Sequence, residues 1–140
     1  MTATRTGTQR EFPDARLTVA EGVDVRAEVL EPLHAYALGH ATGEPAHFRR
    51  AFRPTARVEG LREGDFHSWD LETYCALFDG PAPDEETRSR VVDDVQVVES
   101  VASATMTLRH GENTFTDVFV LLGDAGGWRI ANKVYHRHQT

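Results

Sequence analysis

Hydrophobic positions along the chain follow three rhythms in turn. Residues 1 to about 20 show none, with Thr, Arg, Gly and Pro scattered among single apolar residues. Such a stretch buries too little to order itself, so a disordered tail is expected there, followed by one domain over 21–140. The spacing then becomes helical. Val25, Val29, Leu33, Tyr36 and His40 recur at intervals of four, four, three and four, on one helical face. Asp24 is a candidate N-cap. Pro32 interrupts the pattern, because it removes a hydrogen bond inside a helix. The helix should therefore start near Leu30 or kink at Pro32, and it should end at Gly43. Pro45 opens a short second helix in EPAHFRRAF. RPTARVEGLREGDFHSWD alternates and carries two glycines, which predicts a strand pair. DLETYCALF predicts a third helix capped by Ser68 or Asp70, and PAPDEETRSR a loop.

The third rhythm is a period of two. RVVDDVQVVES, VASATMTLRH, TFTDVFVLL and WRIANKVYH are β-rich runs separated by Glu99–Ser100, HGEN and GDAGG. Short breaks between such runs predict an antiparallel meander. Helices first and strands afterwards define an α+β fold. In the third run Val118, Val120 and Leu122 share one face, while Phe115, Phe119 and Leu121 share the other. Helices can cover only one of these apolar faces, and no helix is left for the second. The simplest cover is a second copy, so a homodimer through the sheet is expected.

Charge and cysteine content narrow the partners. A formal net charge of −7 disfavours nucleic acid and anionic membranes, which both attract basic surfaces. No window has the length of a membrane span. Cys75 is the only cysteine, so no internal disulfide is possible. The opening residues lack the apolar core of a signal peptide. A cytoplasmic protein is expected.

Candidate chemistry sits on the helical face and the last strands. Asp117 stands among Phe115, Phe119 and Leu121, where a carboxylate could serve as acid or base. If GDAGG is a five-residue turn, Asp117 opposes Lys133, Phe115 opposes Tyr135 and Val118 opposes Asn132. Asp117 would then form a cross-strand ion pair, which offers a structural role instead. Tyr36 and His40, one turn apart, could converge on a pocket and assist proton transfer, or could simply be core and helix-end residues. Asn132 shares a face with Trp128 and Ile130, so its amide could orient a ligand if that face is interior. Trp69 and Tyr74 could line an aromatic pocket or serve as core. His136 and His138 share a strand face, but two imidazoles fall short of a metal site and no metal is expected. His34, His47, His67 and His110 form no spacing pattern, Cys75 lacks an activating neighbour, and no glycine-rich phosphate loop or other cofactor motif occurs.

YALGHATGEPAHFRRAFRPTARVEG and FTDVFVLLGDAGGWRIANKVYHRH resemble the Putative lumazine-binding family, within the nuclear transport factor two-like (NTF2-like) superfamily. The resemblance spans roughly residues 22–138, and its most specific part is the closing W-R-I-x-N-K-V-Y-H. It implies a cone: a strongly bent antiparallel sheet wrapped around about three helices, a cystatin-like roll with a pocket at its open end, often dimeric. The superfamily includes ketosteroid isomerases, scytalone dehydratase, limonene epoxide hydrolase and polyketide cyclases, so the resemblance fixes no single reaction. FRPTA departs from the F-H-P-D-A of many relatives, so no role of that His–Asp pair passes to Arg53 and Thr55. Two functional readings follow. One is a cofactor-independent acid/base enzyme acting on a small apolar ring compound through Asp117, Tyr36 and His40. The other is a non-catalytic binder of a heteroaromatic or apolar ligand using Trp69, Tyr74 and Asn132. A purely structural dimeric adaptor is a third.

Overall fold

The computed structural model describes residues 10–138. The tail expected over residues 1–9 lies outside the described residues. Residues 10–20 correct the remainder of that expectation. They form strand β1 (Glu11–Phe12), a 3-10 turn (Pro13–Ala15) and strand β2 (Leu17–Val19). Ala15, Leu17 and Val19 are at most 2% exposed. Their alternation spans only three positions, too short to stand out along the sequence, yet it adds a parallel strand beside Arg90–Val92.

Helix α1 (Ala27–Thr42) follows. It begins neither at an Asp24 cap nor near Leu30. Arg26 is its extended N-cap, and its carbonyl accepts from Val29 N and Leu30 N, both at 3.0 Å. That closes the first turn upstream of Pro32, which lies buried inside the helix. Gly43 ends α1 as expected. It adopts φ 74° and donates its N–H to Gly39 O at 2.8 Å, a conformation that glycine enters without a Cβ penalty. Helix α2 (Pro45–Ala51) leads directly into strand β3 (Phe52–Arg62), which returns through a tight turn as strand β4 (Asp65–Asp70). Helix α3 (Leu71–Cys75) starts at Asp70, whose carboxylate accepts from Thr73 N at 2.8 Å.

The meander is built as expected from strands β5 (Ser89–Val98), β6 (Val101–His110), β7 (Asn113–Asp124) and β8 (Gly127–His138). All eight strands join one sheet in the order β1-β2-β5-β6-β7-β8-β3-β4. Two pairings, β2 with β5 and β3 with β8, are parallel, so the sheet is mixed rather than wholly antiparallel. Irregular register in β3, at Asp93 in β5 and at Ala131 in β8 lets the sheet bend. The sheet curves over the helices, and Met106, Leu108, Phe119, Leu121 and Ile130 of its inner face pack into one core with Val29, Leu33 and Tyr36 of α1.

The β7–β8 register differs from the sequence expectation in two steps. The turn is tighter than five residues, with Asp124 pairing with Gly127, and Ala131 is an extra residue on β8. Asp117 consequently opposes Tyr135, Phe115 opposes Arg137 and Val118 opposes Val134. The two shifts together amount to an even displacement. Asp117 and Lys133 therefore stay on the same face, as diagonal neighbours. Asn132 does not stay with Ile130: the bulge sends it to the outer face, where it is exposed.

Candidate functional site

Beneath the bend lies a cavity of about 340 Å³. Helix α1 supplies Tyr36 and His40, α3 supplies Tyr74, and the strands supply Asp117 and Lys133. Trp69 of β4 lines it as well. Five of the six residues singled out from the sequence thus meet around one cavity: Asp117, Tyr36, His40, Trp69 and Tyr74. Asn132 does not. Its Oδ1 accepts from Arg57 N at 2.7 Å. It caps the irregular junction of β3 and β8, so the expectation that it orients a ligand is corrected.

The floor of the cavity is a polar cluster set in an aromatic core. Asp117 is 2% exposed and Lys133 5%. Lys133 Nζ stands 3.2 Å from Asp117 Oδ2. It donates to Tyr36 Oη at 2.8 Å and to Tyr74 Oη at 3.3 Å. Tyr36 Oη in turn donates to Asp117 Oδ2 at 2.6 Å. The ammonium thus donates to both phenols and lies against the carboxylate as an ion pair. Asp117 Oδ1 accepts from no described residue, and the hydroxyl hydrogen of Tyr74 has no acceptor among them. An acceptor and a donor therefore remain unspent on a cavity wall. The ion pair expected from sequence exists, and it is buried and faces the cavity.

Electrostatics follow from burial first. Burial, and then the Asp117 charge, push the Tyr36 phenol well above its ordinary value; burial also raises that of Tyr74. Burial works against the Lys133 ammonium, but Asp117 and the Tyr74 oxygen outweigh it and hold its pKa above the usual lysine value.

His40 is a different group from the one expected. Its Nδ1 accepts from Arg90 Nη2 at 2.9 Å, with Arg90 Nε at 3.3 Å. A guanidinium only donates, so Nδ1 carries a lone pair and the ring proton sits on Nε2. Burial and then Arg90 drive its pKa well below the ordinary histidine value. His40 is thus a fixed neutral donor, not the titrating proton carrier expected from its residue type. Arg90 itself is fully buried. It also donates to Ala15 O at 2.9 Å and to both Glu85 oxygens at 2.8 and 2.9 Å, which spends its five N–H bonds.

His110 completes this end of the cavity. Its ring centroid lies 4.9 Å from that of His40, and its Nε2 is buried without a hydrogen-bond partner. Burial, Arg88 and Arg90 lower its pKa to about 4. Arg90 and His110 were invisible as site residues in the sequence. Each is a single polar residue near a strand end, and its neighbour His40 lies far away along the chain. No group of three or more His, Cys, Asp or Glu arranged for a metal occurs among the described residues. His136 and His138 lie with ring centroids 4.8 Å apart on an exposed strand end. Arg53, one of the two FRPTA departures, makes a 3.0 Å ion pair with Asp124 at the β7–β8 turn, and that pairing lowers the Asp124 pKa.

A bent sheet closed by helices over a part-polar cavity defines a cone-shaped α+β roll with room for a small molecule. The chain belongs to the Putative lumazine-binding family, whose model matches residues 24–136. Among solved structures it is similar to an NTF2-like protein of unknown function from Shewanella baltica OS155. Identity there is 22% over 84% of this chain and 100% of that one, at a TM-score of 0.71. An NTF-2 like protein of unknown function from Silicibacter pomeroyi DSS-3 is similar at 21% identity, covering 80% and 94% of the two chains, with a TM-score of 0.70. The S. rosetta CaMKII hub matches at 17% identity over 83% and 100%, with a TM-score of 0.60. At such identities these likenesses establish the NTF2-like fold alone. No curated protein matches the sequence. No helix among the described residues is long and apolar enough to cross a membrane.

Proposed function

We propose that the cavity binds a small, largely apolar ring compound and that Asp117 moves a proton on it. The reaction would be a cofactor-independent isomerisation, dehydration or cyclisation. The observation that carries this reading is the floor cluster: Asp117 presents an unspent Oδ1 while Tyr36 and Lys133 hold Oδ2. Opposite an ammonium, the carboxylate acts as proton acceptor. It takes a proton from carbon beside a carbonyl, and the electron pair moves onto the carbonyl oxygen. Tyr74 Oη, already accepting from Lys133, donates to that oxygen, and Asp117 returns the proton to another carbon. Tyr36 orients the carboxylate, and His40 adds a fixed donor. Trp69 supports the ring by stacking.

The alternative, a non-catalytic binder of a heteroaromatic or apolar ligand, draws support from the enclosure of Lys133 by two phenols and the Asp117 carboxylate, as in a structural ion pair. One experiment separates the two. Small ring compounds are screened by thermal shift, and those that bind are followed for conversion with the native protein and Asp117→Asn. The enzyme reading expects conversion by the native protein and a loss of about 10²–10⁴-fold in the variant, the usual contribution of a positioned base, with binding retained. Binding without conversion by the native protein selects the binder. Conversion unchanged in the variant removes Asp117 from the mechanism.

The homodimer belongs to the same proposal. Val98, Val101, Val118, Val120 and Val134 are each 45–66% exposed on the outer sheet face, a contiguous apolar surface of the kind a second copy covers. A cytoplasmic location is also proposed, supported by the lone, buried Cys75.

A further inference from the structure

The cavity mouth carries a cation that nothing in the described chain neutralises. Four charged residues line the cavity: Arg62, Arg88, Lys133 and Asp117. With both histidines neutral, three cations face one carboxylate, a net of +2 in a protein whose formal charge is −7. Two of the cations are matched. Lys133 has Asp117, and Arg88 has Asp84 at 2.9 Å. Arg62 has no carboxylate within salt-bridge distance among the described residues.

Arg62 is nonetheless held in place. Its Nε donates to Tyr135 Oη at 3.1 Å. Its guanidinium lies 5.3 Å from the Trp69 ring and 5.9 Å from the Tyr135 ring. Those rings are nearly parallel, 10° apart at 6.3 Å. Gly60 makes the arrangement possible: a Cβ there would sit 2.5 Å from the Tyr135 ring, so the tyrosine lies flat over β3. The support uses one N–H and the π-faces, and the Nη edge of the fork donates to no described residue. A planar fork with free donors beside aromatic walls matches a carboxylate attached to a ring.

We propose that the natural ligand is an aromatic or alicyclic carboxylic acid. Its carboxylate pairs with Arg62 at the mouth while its ring lies in the cavity against Phe115 and the Trp69–Tyr135 wall, directed toward Asp117. This rests on the cavity being the small-molecule site. It adds the acid group that such a ligand must carry. A positive mouth on a negative protein draws an anion in and discriminates against its neutral analogue.

The test uses matched probes: benzoate, 3-phenylpropionate and 2-naphthoate, each beside its carboxamide. Calorimetry at low and high salt measures binding to the full chain, Arg62→Gln and Arg62→Lys, with melting temperatures taken to confirm folding. The account expects at least one acid to bind about tenfold or more tighter than its amide, the scale of a charge-assisted bond. That preference should weaken with salt and vanish in Arg62→Gln. Arg62→Lys should recover only part of it. Equal binding of acid and amide overturns the carboxylate assignment but leaves the cavity as the site. A preference for the acid that survives Arg62→Gln also overturns it. Failure of every probe to bind overturns both readings.

Discussion

At the scale of single residues, the site consists of groups whose protonation is set by burial together with charged or polar neighbours. Burial works against the Lys133 charge, but Asp117 and Tyr74 hold it; burial, and then Arg90 at Nδ1, keep His40 from taking a second proton. His110 is the group with a readable titration. Its folded pKa of about 4 lies below the roughly 6.5 of a free histidine. Between those values the unfolded chain binds more protons, so stability is complete above about 6.5 and declines as pH falls toward 4. Solvent at its partly open edge screens the effect, which leaves on the order of 1–2 kcal/mol. The melting temperature should therefore fall between pH 7 and pH 4, and His110→Gln should flatten that fall. An unchanged slope in the variant would assign it to other groups. The sequence reveals Asp117 and Lys133 as partners because both lie on one strand pair. Arg90 is not legible in the same way: its partners His40, Glu85 and Ala15 come from three separate segments.

At the scale of elements, period and punctuation carry most of the fold. Gly43, Pro45 and Asp70 bound their helices as their backbone preferences require. The four meander strands follow from their alternation. What alternation cannot reveal is an inserted residue. Counting in twos from Trp128 keeps Asn132 on the face of Ile130; the bulge at Ala131 moves it to the other face. That single residue turns Asn132 toward Arg57 and, together with the tighter turn, keeps Lys133 on the face of Asp117. A similar limit applies to β2, where three residues gain their meaning from Arg90–Val92, far along the chain.

At the scale of the whole molecule, the sheet has two uses. Its inner face holds core and cavity; its outer face carries the exposed valines. The homodimer proposal makes that face an interface. Sedimentation should find a dimer for the native chain and a monomer for Val120→Asp, since a carboxylate buried in an apolar interface stays unpaired. A native monomer would end the proposal. The central claim concerns the inner face, and a structure of the protein with a bound ring compound from the thermal-shift screen tests it most directly. The account predicts the ligand within hydrogen-bond reach of Asp117 Oδ1 or Tyr74 Oη, with its ring against Trp69. A ligand seated elsewhere, with Asp117 and Tyr74 untouched, would contradict it.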